Sequence, residues 1–75
     1  MYDLACEVRG KFGFSWTDAI MIARNVRDCE ARPVAGHDIA AWKAFEKAEA
    51  ECIVAFMERD GIDPAHVEEV RQLLL

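Results

Sequence analysis

The chain has 75 residues, 53% apolar and 31% charged, with only four Gly and two Pro. That balance fits a packed globule and excludes collagen-like, low-complexity and disordered classes. The formal charge is −5, and the longest apolar run, Cys52 to Met57, covers six residues, far short of the ~20 that a membrane span needs.

Four segments carry helical periodicity. Leu4, Ala5, Val8 and Phe12 predict a first helix over about 2–12, weakened at Gly10 and stopped at Gly13. Ser15 reads as an N-cap, with Asp18 completing a weak capping box. The second helix spans about 16–30. Trp16, Ala19, Ile20, Ile22, Ala23, Val26 and Cys29 share one half of its wheel, and Thr17, Asp18, Arg24, Asn25 and Asp28 the other. Met21 falls on the polar side, where exposure is expected. A loop follows over 31–37, punctuated by Pro33 and Gly36. Asp38 then caps the longest helix, about 39–60, which Gly61 ends at C′. Asp63 as N-cap, Pro64 at N1 and Ile62 stapling onto Val67 start a fourth helix over about 64–75. No stretch alternates like a strand and no linker divides the chain. The predicted fold is all-α, a small single-domain bundle of four helices with a long third helix as its spine.

The third helix has two apolar stripes. Trp42, Phe45, Ala48, Cys52, Ile53 and Phe56 form the main one, expected to face the core. Glu49 falls inside it and needs a hydrogen-bonding or cationic partner, because an unpaired buried carboxylate is costly. It either reaches solvent at a helix crossing or anchors a dimer or partner groove. Ala50, Ile53, Val54 and Met57 form the second stripe, beside Glu51 and Glu58. Neighbouring helices cover this stripe, or Val54 and Met57 make an exposed patch for a subunit or a partner protein. The candidate partner-binding residues are therefore Glu49, Glu51, Val54, Met57 and Glu58.

Charge is unevenly placed. Residues 1–36 hold five acids and five bases, whereas 37–75 hold nine acids against Lys43, Lys47, Arg59 and Arg71. Nucleic-acid binding draws most of its affinity from neutralised phosphates, so this chain is a poor general DNA or RNA binder. Its acidic half suits a protein partner with a basic face.

Cys6, Cys29 and Cys52 are an odd number, and no CxxC pair occurs. With no apolar leader at the N-terminus, they fit a reducing cytoplasm better than a disulfide framework. Their wide, even separation lacks the paired ligands of a zinc site even with His37 and His66 added, so buried apolar cysteine is the reading and no metal or cofactor is expected. No phosphate-binding loop, dinucleotide fingerprint, zinc-protease motif or nucleophile elbow occurs, and the only hydroxyls are Tyr2, Ser15 and Thr17. The expectation is a protein that is not an enzyme, with no catalytic residue.

Two local resemblances supply alternatives. Gly13-Phe14-Ser15 between two helices resembles a helix-turn-helix turn, which would let Arg24, Arg27 and Arg32 touch DNA phosphates. Phe12-Gly13-Phe14-Ser15 followed by Ala19 also resembles the helix 1–helix 2 loop of ubiquitin-associated domains, with Phe12 where that family favours Met. That resemblance implies ubiquitin-type binding through Phe12, Gly13 and Phe14. By composition alone, a short acidic chain without catalytic apparatus is similar to small phage or mobile-element inhibitors such as anti-CRISPR proteins. The expected function is a cytoplasmic, non-enzymatic protein-binding module of that kind, with homodimerisation as a further way to cover surplus apolar surface.

Overall fold

The computed structural model describes residues 1–31 and 39–75. They form α1 (Tyr2–Phe12), α2 (Trp16–Ala31), α3 (Ile39–Arg59) and α4 (Pro64–Leu74), with no strand among the described residues. The all-α bundle of four helices is what the periodicity predicts. Pro33, Gly36, His37, the Asp38 cap and Arg32 lie outside the described residues.

The helix ends follow local chemistry. Gly13 takes the left-handed conformation (φ 70°) and donates its N–H to the Arg9 carbonyl at 2.9 Å. The Ser15 hydroxyl oxygen accepts from the Asp18 N–H at 3.2 Å, capping α2. At the end of α3, Gly61 (φ 73°) donates to the Glu58 carbonyl at 3.1 Å, and Ile62 donates to the Met57 carbonyl at 3.0 Å. This paired closure reverses the chain and lays α4 back on α3. The Asp63 carboxylate accepts from the Ala65 N–H at 2.9 Å, with Pro64 opening α4 as predicted.

α1 packs on α2, and α4 packs on both α3 and α2. The core joins Tyr2, Ala5 and Val8 of α1 with Trp16, Ala19, Ile20 and Ala23 of α2. Ile53, Val54 and Met57 of α3 and Val67 and Val70 of α4 complete it. The stripe of α3 that enters this core is the second one, not the main one. Val54 is 7% exposed and Met57 fully buried, so neither is the open patch that a partner would need. The cause is the turn at Gly61, which brings Val67 and Val70 against that side of α3. Of the main stripe only Ile53 is buried. Trp42 is half-buried, and Phe45, Ala48, Cys52 and Phe56 are exposed.

Three smaller expectations also change. Phe12 is exposed, because α1 ends beside it and its ring tilts against Phe14 at 5.8 Å rather than into the core. Val26 and Cys29 are exposed, because α2 runs beyond the core after Ala23. Cys52 is exposed, whereas Cys6 is half-buried and packs against the core, so of the three free thiols only Cys6 approaches the expected apolar filler.

By the usual rise per residue the 21 residues of α3 measure about 31 Å. The longest dimension of the molecule is 39 Å. The radius of gyration is 12.8 Å, against about 11 Å for a compact chain of this length. The elongation comes from α3: from Ile39 to Glu49 no side chain is buried, and burial begins at Ala50.

Candidate functional site

The projecting half of α3 is held by charge. Arg27 lies on the core-facing side of α2, one turn beyond Ala23, and Glu49 lies on α3 one turn before Ile53. Their side chains are 13% and 20% exposed and form an ion pair. The Arg27 guanidinium also donates to the Asp28 carboxylate at 2.9 Å and lies 5.4 Å from the Trp42 ring and 5.9 Å from the Phe45 ring. Trp42 and Phe45 stack on each other at 5.3 Å, so the cation rests against an aromatic pair. A second ion pair, Arg24 with Glu46, continues the contact. The space enclosed by these four charged residues with Met1, Ala50, Ile53 and Leu74 is about 10 Å³, room for a single water at most.

The other end of α3 is tied to α1. The Tyr2 hydroxyl donates to Asp60 Oδ2 at 2.7 Å, and its ring stacks on Trp16 at 6.0 Å and tilts against Phe56 at 5.6 Å. Burial and the bond to Asp60 push the Tyr2 phenol well above its ordinary range. The same bond, with help from Arg59, holds Asp60 below the usual carboxylate range.

These contacts reassign most of the sequence-derived residues. Glu49 is satisfied inside the chain by Arg27 and is not a free anchor for another molecule. Glu58 is exposed but paired with Arg71 at 3.0 Å. Glu51 is exposed and has no ion pair among the described residues, and Lys43 and Lys47 share that condition. Arg24 and Arg27 are engaged by Glu46 and Glu49, so the DNA reading loses two of its three phosphate contacts to internal pairs. Trp16, where a recognition helix would begin to read bases, is buried against Tyr2. No group of three or more metal-ligating side chains occurs among the described residues. No described helix is long and apolar enough to cross a membrane.

What remains open is the outer face of α3. Phe45, Ala48, Cys52 and Ala55 follow one another at spacings of three and four, and all are exposed. Phe45 is 49% exposed and the adjoining Phe56 39%, large values for phenylalanine in a folded chain. This face points away from the buried stripe of Ala50, Ile53, Val54 and Met57. Sequence reasoning found both stripes and left the second either covered or exposed; it is covered, so Val54 and Met57 are not binding residues, and most of the main stripe is open. Compared with known proteins, the chain matches no family model, no curated protein and no solved structure.

Proposed function

We propose that this chain is a non-catalytic protein-binding module whose binding element is the outer face of α3. The observation that carries the reading is the uncovered run Phe45, Ala48, Cys52, Ala55 on a helix whose opposite face already fills the core. A continuous apolar seam of this kind is stabilised by a second protein surface, not by water. The excess of acids in 37–75 favours a partner with basic character around that seam. The three free thiols support a reducing compartment such as the cytoplasm. Inhibition of a host complex by occupying one of its faces is the narrower form of this proposal.

The test is nuclease-treated affinity capture with the wild-type chain and with Phe45→Glu, read by mass spectrometry and gel stoichiometry. A stoichiometric protein, or a second copy of the chain itself, is expected with the wild type and lost in the variant at unchanged helicity. Equal recovery with both forms would remove the outer face of α3 from the function.

The loop Phe12-Gly13-Phe14 supports a second reading. Its two rings are exposed and tilt against each other beside a left-handed glycine, and its sequence resembles the helix 1–helix 2 loop of ubiquitin-associated domains. Titration of labelled chain with ubiquitin should then shift the Phe12 to Phe14 amides, and no shift would dismiss it.

A further inference from the structure

We propose that the first half of α3 is a charge-latched arm, which melts back toward Ala50 while the rest of the bundle stays folded. Within 42–49 no side chain is buried, whereas Ala50, Ile53, Val54 and Met57 all are. The end of α4 leaves this half open as well. Lys43 and Lys47 are exposed and share a groove of about 660 Å³ with Leu74 and Leu75. Two ion pairs, Arg24 with Glu46 and Arg27 with Glu49, join 42–49 to α2 like rungs. The half-buried Trp42 and its neighbour Phe45 lie against the Arg27 guanidinium, so the aromatic contact depends on the same cation. Without packing, each further helical residue gains little in water, and a released helix end frays. Loss of the rungs therefore melts 39–49, and the apolar core of Ile53, Val54 and Met57 holds the remainder of α3 in place.

The two rungs differ in depth, which gives the latch an order of opening. The Arg24 and Glu46 side chains are 31% and 27% exposed, and Arg27 and Glu49 lie deeper. Lys43 and Lys47 line the same groove as Arg24, and their like charge opposes the outer rung. Salt weakens exposed pairs first, because the screening length falls from about 10 Å at 0.1 M to about 3 Å at 1 M. The outer rung yields before the inner one, so the arm frays to Glu46 and then to Glu49. Phe45 and Ala48 lie on this arm, whereas Cys52 and Ala55 lie on the fixed half. The outer face of α3 is therefore continuous only when the latch is closed. That consequence rests on the binding face proposed above; the latch does not, and it is read without a partner.

The experiment is amide hydrogen exchange of the full chain, residue by residue, from about 0.05 M to about 1 M NaCl. Amides of 43–49 should exchange about tenfold faster at the high-salt end, with those of Ile53, Val54, Met57 and Val70 unchanged. Arg24→Glu should open the arm at low salt. Added salt should then slow its exchange, because the outer rung has become a repulsion. Arg24→Glu combined with Glu46→Arg should restore both the protection and the original response to salt. Glu46→Gln, a milder change, should speed exchange of the arm at low salt and leave a weaker salt response. Equal acceleration at Ile53 and Met57 would show that the arm does not open apart from the core, and would overturn the proposal. Salt-independent exchange in the wild type would do the same, as would an unchanged salt response in Arg24→Glu. A latch that behaves as described, in a chain whose partner capture ignores Phe45→Glu, would keep the latch and remove only its link to binding.

Discussion

Arg27 and Glu49 meet where α2 and α3 leave the apolar core, and each is the other's reason for being tolerated there. Neither is open enough for water to replace its partner. Removing Arg27 leaves the Glu49 carboxylate largely buried without its cation, whereas removing Glu49 leaves Arg27 its Asp28 contact. Arg27→Ala is therefore expected to cost about 2–3 kcal/mol, toward the lower end for a broken buried pair because some solvent reaches it. Joint replacement, Arg27→Met with Glu49→Leu, should recover most of that loss. Urea denaturation of the three variants checks both statements. Equal stability of Arg27→Ala and the wild type would mean that the pair does not hold α3.

The two faces of α3 should respond unequally to truncation. Met57→Ala empties a fully buried site and is expected to cost about 3 kcal/mol. Phe45→Ala removes a half-exposed ring with its Trp42 and Arg27 contacts and should cost about 1 kcal/mol in the isolated chain, well below Met57→Ala. Denaturant midpoints measured at low protein concentration give the comparison.

Stability should fall at both ends of the pH scale through one contact. Asp60 is held below its ordinary carboxylate pKa, mainly by the Tyr2 hydroxyl and then by Arg59. Its contribution is present above the unfolded value of 3.8 and lost as pH falls through the lower folded value. Tyr2 is held above its ordinary value of 10.0 by burial and by the Asp60 bond. Its contribution is complete below pH 10.0 and lost as pH rises toward the folded value. Tyr2→Phe should lower the melting temperature at neutral pH and make both limbs shallower. A pH profile of melting temperature for the two proteins tests this, and identical limbs would mean that the contact does not form in solution.

Gly61 closes α3 with φ 73°, and a Cβ there would meet no atom within 4 Å. Only backbone strain opposes substitution, so Gly61→Ala should cost about 1 kcal/mol without disturbing the packing. A loss far larger would show that α4 depends on this turn for its position, which thermal denaturation followed by circular dichroism would reveal.

The helices were legible in the sequence because their ends are fixed by short-range chemistry. Gly13, Ser15, Gly61, Asp63 and Pro64 act within a turn of themselves, and all behave as their residue types require. The inward face of α3 was not legible, because both stripes have adequate apolar content and the choice is made by α4. Spacing alone drew both stripes, and the core took Ile53, Val54 and Met57, which the Gly61 turn sets opposite Val67 and Val70. Glu49 was recognised as needing a partner. Arg27 was read as a possible phosphate contact and not as that partner, because its place one turn beyond Ala23 was not weighed. Tyr2 was missed as a tether because Asp60 lies 58 positions away.

The most direct measurement compares two single charges on one helix, Phe45→Glu and Val54→Glu, by circular dichroism and affinity capture side by side. Phe45→Glu should remain helical and cooperatively folded while losing the captured partner, and Val54→Glu should unfold. A folded Val54→Glu chain that no longer captures the partner, beside an unfolded Phe45→Glu chain, would invert the two faces of α3 and contradict the binding surface assigned to this protein.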